Sequence, residues 1–189
     1  MNLEAFYELI KSGNINNAEI AWQIARGMRD SGDKDFEQFC RAVYSFSFGD
    51  FPAVKPAEFL TGLIDGQLRR NIFRKTVIPD YYASFASLVK SIEISNLHTK
   101  EFPMGFEVFT EVEHLNFSTM TLNTLGNELK GLTKLKHLEI DCWHHMESLN
   151  ILPEFEECCG IEKITLKGKI QLPDNLKSLN RFKNFNSNS

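Results

Sequence analysis

The residues Leu125-Gly-Asn-Glu-Leu-Lys-Gly-Leu-Thr-Lys-Leu-Lys-His-Leu-Glu-Ile140 decide the fold class of this chain of 189 residues. They join two apolar spacings. The first, L-G-x-x-L-x-x-L-x-x-L, runs from Leu125 to Leu135 and has an apolar side chain at every third or fourth residue. The second, L-x-x-L-x-L, ends in a segment whose Leu138 and Ile140 side chains point to one face of a β-strand. The stretch therefore predicts a short strand with one apolar side.

Both spacings recur along the chain. The L-x-x-L-x-L spacing occurs four times, at intervals of 23, 23 and 26 residues: Val89/Ile92/Ile94, Val112/Leu115/Phe117, Leu135/Leu138/Ile140 and Ile161/Ile164/Leu166. The longer spacing begins at Phe102, Leu125 and Leu172, with shifted copies at Ile78 and Ile151. Self-similarity at a period of 20–50 residues is typical of repeat architectures, in which each unit buries its apolar face against the next.

The two linked spacings resemble the leucine-rich repeat family over residues 78–185. The resemblance implies an α/β solenoid of about four repeats, with a short parallel sheet on its concave side and a C-terminal cap. Residues 8–25 are similar to the helical leader of some bacterial leucine-rich repeat proteins. Where the family often has Asn, this chain has Leu97, Met120, Trp143 and Lys169. We therefore expect its turns to satisfy their buried amides by backbone pairing or water.

The sequence before the repeats predicts an α-helical N-terminal unit, residues 1–77. Four amphipathic helices are expected within residues 1–68, with N-terminal signals at Asn2, Asn16, Asp35 and Pro56 and with Leu68 on the last apolar stripe. This unit would cover one end of the array through Leu68 and Ile72/Phe73. The other end would be covered by Leu176, Leu179, Phe182 and Phe185, and the tail, residues 186–189, has nothing to bury and is expected to be disordered.

Charge and composition exclude several classes of function. Lys and Arg total 21 against 25 Asp and Glu, a formal net charge of −4, which argues against a strongly basic nucleic-acid binder. We find no run of about 18 apolar residues and no secretory leader, so we expect no membrane partner and a cytoplasmic location. The four cysteines (Cys40, Cys142, Cys158 and Cys159) do not form a disulfide framework pattern.

The register of the repeats predicts a polar binding surface on the concave side of the sheet. The residues expected to contact a partner there are Glu93, His114, Asn116, His137, Glu139 and Asp141. A shallow polar sheet suits a protein partner better than an enclosed small molecule. We therefore predict a non-catalytic protein–protein interaction module, with no catalytic residue, metal or cofactor.

Three alternatives remain open at this stage. A metal-dependent or hydrolytic activity would use His114, His137 and Glu139, although Cys142-Trp143-His144-His145 lacks the paired spacing of a zinc site and none of the common catalytic motifs occurs. The basic run of residues 69–75 reads as a solvated helix C-terminus, or as a contact for phosphates or an acidic partner. The helical unit itself is the third candidate binding element.

Overall fold

The computed structural model describes residues 3–12, 14–48, 55–70, 73–74, 86–143, 148–158 and 160–177. The chain begins with four α-helices, which are α1 (Leu3–Lys11), α2 (Ile15–Asp30), α3 (Phe36–Phe48) and α4 (Pro56–Ile64). The strands follow as β1 (Gln67–Arg70), β2 (Ser91–Leu97), β3 (His114–Thr119), β4 (Thr124–Leu125), β5 (His137–Cys142), β6 (Leu149–Ile151), β7 (Lys163–Lys167) and β8 (Ile170–Gln171), and then helix α5 (Asp174–Lys177). The protein is therefore a mixed α/β protein.

The strands form two parallel sheets. The five-stranded sheet has the order β1-β2-β3-β5-β7, and a three-stranded sheet has the order β4-β6-β8. Parallel strands need long connections, and short 3₁₀ turns lie on the connections that enter β2, β3 and β7: Ala86–Leu88, Phe106–Val108 and Pro153–Glu157. The parallel sheet was expected from the sequence, whereas the small second sheet was not.

The apolar positions of the L-x-x-L-x-L spacing are buried in all four copies, as predicted. The pairing places equivalent positions side by side, so that one apolar row crosses the whole five-stranded sheet: Leu68, Ile92, Leu115, Leu138 and Ile164. Cys158, which takes an apolar position of the longer spacing, is also buried. The apolar rows belong to one core that also includes the buried faces of the helices.

The prediction for the end of the fourth helix was wrong. Helix α4 ends at Ile64, and Leu68 belongs to the edge strand β1. Gly66 makes the change of direction with φ of 79°, and its carbonyl accepts hydrogen bonds from the Lys90 and Ser91 amides at 2.8 and 3.0 Å. The reading of residues 69–75 as a helix C-terminus is therefore also wrong, since this run begins in a strand. Residues 71, 72 and 75 of the run lie outside the described residues.

The helix starts agree with the sequence in part. Pro56 opens α4 and Asp35 directly precedes α3, as predicted. Helix α2 begins earlier than expected, because its N-cap is Asn14, whose side chain accepts a hydrogen bond from the Asn16 amide at 2.9 Å. The cap predicted at Asn2 lies outside the described residues.

The two ends of the repeats are described only in part. Leu68, Phe73 and Leu176, three of the residues predicted to cover these ends, are buried. At the N-terminal side, Arg29 pairs with Asp65 at 2.8 Å and so joins α2 to the end of α4. Residues 78–85 and 178–189, with the predicted cap residues Leu179, Phe182 and Phe185 and the tail, lie outside the described residues, as do Ile72, His144 and His145. Within the described ranges, no helix is long and apolar enough to cross a membrane.

A buried threonine hydroxyl forms hydrogen bonds with backbone groups of the turn after β3. The Thr119 side chain donates to the Leu97 carbonyl at 2.9 Å and accepts from the amides of Leu122 at 3.0 Å and Thr121 at 3.3 Å. Thr119 is only 2% exposed. The expectation that backbone pairing or water alone serves these turns was therefore wrong here, because a hydroxyl can both donate and accept.

We expect Thr119→Val to lower the free energy of unfolding by about 1–3 kcal/mol, because it keeps the shape but leaves buried amides and a carbonyl without their partner. Thr133→Val, at an exposed turn position, is the matched control and should stay within about 0.5 kcal/mol of wild type. Urea denaturation of the three proteins measures both changes. Equal stability of wild type and Thr119→Val would contradict the role assigned to this hydroxyl.

The cysteines Cys40, Cys142 and Cys158 are buried thiols. Burial raises the pKa of the Cys40 and Cys142 thiols to about 12. At pH 8 only about one such thiol in ten thousand is the reactive thiolate. We expect both residues to resist alkylation by iodoacetamide in the folded protein and to react fully in urea, as measured by peptide mass spectrometry. Rapid alkylation of either in the folded state would contradict the packing.

Candidate binding face

One face of the five-stranded sheet is lined by polar side chains, and we call it the polar face. It follows from strand geometry, since residues that alternate with the buried apolar positions must point the other way. Pairing aligns these residues in rows across the strands. One row is Gln67, Ser91, His114, His137 and Lys163, and the next is Arg69, Glu93, Asn116, Glu139 and Thr165.

Two histidines meet at the centre of the polar face. His114 on β3 and His137 on β5 are paired in register, and their Nδ1 atoms are 2.9 Å apart. The ring centroids are 4.6 Å apart with the ring planes at 55°. A hydrogen bond between these atoms requires one ring to donate and the other to accept, so at least one of the two Nδ1 atoms carries no proton.

A shallow depression of about 210 Å³ lies around this pair. Its lining residues come from β3, β5 and β7: His114, Leu115, Asn116, His137, Leu138, Glu139, Lys163 and Thr165. The depression is smaller than the roughly 300–1,000 Å³ of ordinary small-molecule pockets. It is a concave spot on a broad surface rather than an enclosed site.

Ion pairs tie the charged side chains of the polar face together. Arg69 Nε lies 3.4 Å from Glu93 Oε2, and Lys167 Nζ lies 2.5 Å from Glu139 Oε1. The hydrogen bond with Glu139 raises the pKa of the Lys167 ammonium above its usual range. Charges of both signs therefore alternate over the face, and Glu139 is already engaged by a cation.

The chemistry open to the polar face is that of exposed polar and charged side chains. Among the residues that the structure describes, no group of three or more His, Cys, Asp or Glu side chains is placed to hold a metal ion. Glu139, which the hydrolytic alternative would use with the two histidines, binds Lys167. His144 and His145 lie outside the described residues.

The structure brings the six predicted contact residues onto this one face. Glu93 lies on β2, His114 and Asn116 on β3, and His137, Glu139 and Asp141 on β5. Three further residues belong with them: Arg69, Lys163 and Thr165. Lys163 and Thr165 follow from the repeat register, which places them beside His137 and Glu139. Arg69 was missed because β1 was taken for a helix.

A scan against models of protein families finds no match to this chain, and a search of curated proteins finds none either.

Proposed function

We propose that this chain is a leucine-rich repeat protein whose repeats form a solenoid, and that it binds another protein through the polar face. The observation that carries the proposal is the alignment of polar side chains on five parallel strands in one register. The repeated spacing of the sequence supports the solenoid, since each strand shares its apolar row with its neighbours. The proposed module is non-catalytic and needs no cofactor.

The size of the polar face sets how much of a protein partner's contact it can supply. Four inter-strand steps of about 4.8 Å and strands of about 20 Å in length give roughly 400 Å² of sheet surface. A standard protein–protein interface buries about 800 Å² on each partner. The partner must therefore also contact the loops that flank the sheet, and the polar face would supply the centre of the contact.

A cytoplasmic location is part of the proposal. It is supported by Cys40, Cys142 and Cys158, which are buried thiols of the kind that reducing compartments preserve. Their burial within the core means that they contribute as small apolar side chains.

The test compares two charge-reversal variants of the full chain. Glu93→Lys/Glu139→Lys reverses two carboxylates of the polar face, each of which lies in an ion pair. Glu111→Lys/Glu157→Lys is the matched control, since it makes the same charge change and breaks the ion pairs with Lys134 and Lys130 on loops away from that face. Proteins captured by wild type and by the control, and not by the face variant, are the candidate partners.

The affinity of a purified candidate for the three proteins then decides whether the polar face is the binding surface. We expect the face variant to bind at least tenfold more weakly, because reversed charges at the contact oppose the partner, and the control to stay within about twofold of wild type. Equal affinities for all three proteins would move the binding surface away from the polar face. A loss with the control alone would place it on the loops that carry Glu111 and Glu157.

A further inference from the structure

We propose that His114 and His137 form a binding site for one transition-metal ion, preferentially Cu²⁺, with their two Nδ1 atoms as its protein ligands. The juxtaposition that carries the proposal is two imidazole nitrogens 2.9 Å apart on adjacent strands of a rigid sheet. The site is independent of the proposed protein partner, because it uses only side chains of this chain.

The separation of the two nitrogens, which are joined by a hydrogen bond in the metal-free pair, matches one coordination geometry. Imidazole nitrogens bind first-row ions at about 2.0–2.1 Å, so two ligands at a right angle are about 2.9 Å apart and two at the tetrahedral angle about 3.3 Å. The observed 2.9 Å fits the right angle. Right-angle nitrogen ligands belong to the square-planar or tetragonal coordination of Cu²⁺ and Ni²⁺, and Cu²⁺ stands highest in the general order of affinities. Zn²⁺ would require the rings to move apart.

The metal-free pair has the nitrogen separation that the ion requires, and its rings must still turn toward the ion. Its strands are paired in register, so the two side chains start from neighbouring backbone positions. To bind an ion beside the line that joins the two nitrogens, each exposed ring must rotate by roughly 45°, since the ion would stand off that line by about 1.4 Å. The ring with its proton on Nδ1 changes to the Nε2 tautomer, so that both rings stay neutral and no proton is lost.

The surrounding charges determine how strongly an ion binds. Lys163 is the register neighbour of His137 on β7 and repels a cation. Glu139 is held by Lys167, and Glu113 by Lys136 at 3.1 Å, so these carboxylates are compensated. In the described ranges no third His, Cys, Asp or Glu completes the site. The remaining coordination positions of the ion would be filled by water, since the face is exposed.

The experiment titrates the full chain with Cu²⁺, buffered by glycine, and follows binding by calorimetry and electron paramagnetic resonance. We expect the wild type to bind an ion with two imidazole nitrogens. His114→Gln and His137→Gln should each lower the affinity at least tenfold, because each removes one of two ligands. The exposed His98 is the matched control, and His98→Gln should leave this ion in place. Zn²⁺ should bind the same site more weakly.

A variant that keeps both histidines distinguishes a metal site from a histidine pair that is only structural, because a change of nearby charge alters the affinity for a cation. Lys163→Gln should raise the Cu²⁺ affinity by up to about tenfold, since in water it removes a unit positive charge roughly 6 Å from a doubly charged ion. Any binding by His98, His144 or His145 persists in the double variant His114→Gln/His137→Gln. Equal affinity of that double variant and wild type, or a resonance spectrum without two coupled imidazole nitrogens, would overturn the proposal. Circular dichroism confirms that each variant is folded.

Discussion

Replacing Leu138 by aspartate is expected to lower the free energy of unfolding by about 4 kcal/mol or more. Leu138 is 2% exposed and lies within the apolar row, between Leu115 and Ile164. The substitution removes a buried isobutyl group and places a carboxylate where apolar side chains surround it. Because a typical domain is stable by only 5–15 kcal/mol, such a loss consumes a large part of the total.

The control for this substitution lies one residue earlier on the same strand. His137→Asp places the same carboxylate on the exposed polar face, beside Lys163, and should change the free energy of unfolding by no more than about 1 kcal/mol. Urea denaturation at pH 8 and pH 5 measures both variants. A buried carboxyl has a raised pKa, so it binds its proton more readily in the folded state than in the unfolded state. The Leu138→Asp deficit should therefore shrink at pH 5, and equal stability of the two variants would contradict the register.

Replacing Gly168 by alanine is expected to cost about 3–5 kcal/mol. Gly168 follows β7 with φ of 87°, a left-handed conformation that residues with a Cβ adopt only at a cost. An added methyl carbon would overlap the Cys142 carbonyl oxygen and would lie 2.8 Å from the Cys142 carbonyl carbon. Both contacts are to backbone, so rotation of a side chain cannot relieve them, and the ends of β5 and β7 would have to separate.

Gly27→Ala is the matched control for this change. Gly27 lies inside α2, where an added methyl group would meet no atom within 4 Å apart from the helix's own backbone and the adjoining residues, and alanine is the better helix former by about 0.5–1 kcal/mol. We expect the control to be slightly more stable than wild type and Gly168→Ala to be much less stable, as thermal and urea unfolding will measure. If Gly168→Ala is as stable as wild type, Gly168 does not lie as close to the Cys142 backbone as the structure places it.

Much of the five-stranded sheet could be predicted from the sequence because its signal is local. Strands β2, β3, β5 and β7 each carry two apolar residues separated by one polar residue, and this alternation separates the buried row from the polar row without knowledge of the neighbours. Regular spacing then aligns the rows, which is why His114, Asn116, His137 and Glu139 could be placed on one face. Strand β1 escaped this logic because Leu68 lies four residues after Ile64 and fits a helical stripe equally well.

For β2, β3, β5 and β7 the residue spacing was sufficient to place side chains in the core or on the polar face, because burial follows from apolar residues at fixed spacing. The contacts between segments that are distant along the chain follow instead from how the folded chain packs. The 2.9 Å between His114 and His137, the hydrogen bond from the Thr119 hydroxyl to the Leu97 carbonyl and the approach of Gly168 to Cys142 are of this kind. The physical reason is that a hydrogen bond or a steric overlap depends on differences of a few tenths of an ångström. Rotamers and strand separation set such differences, and residue spacing does not encode them.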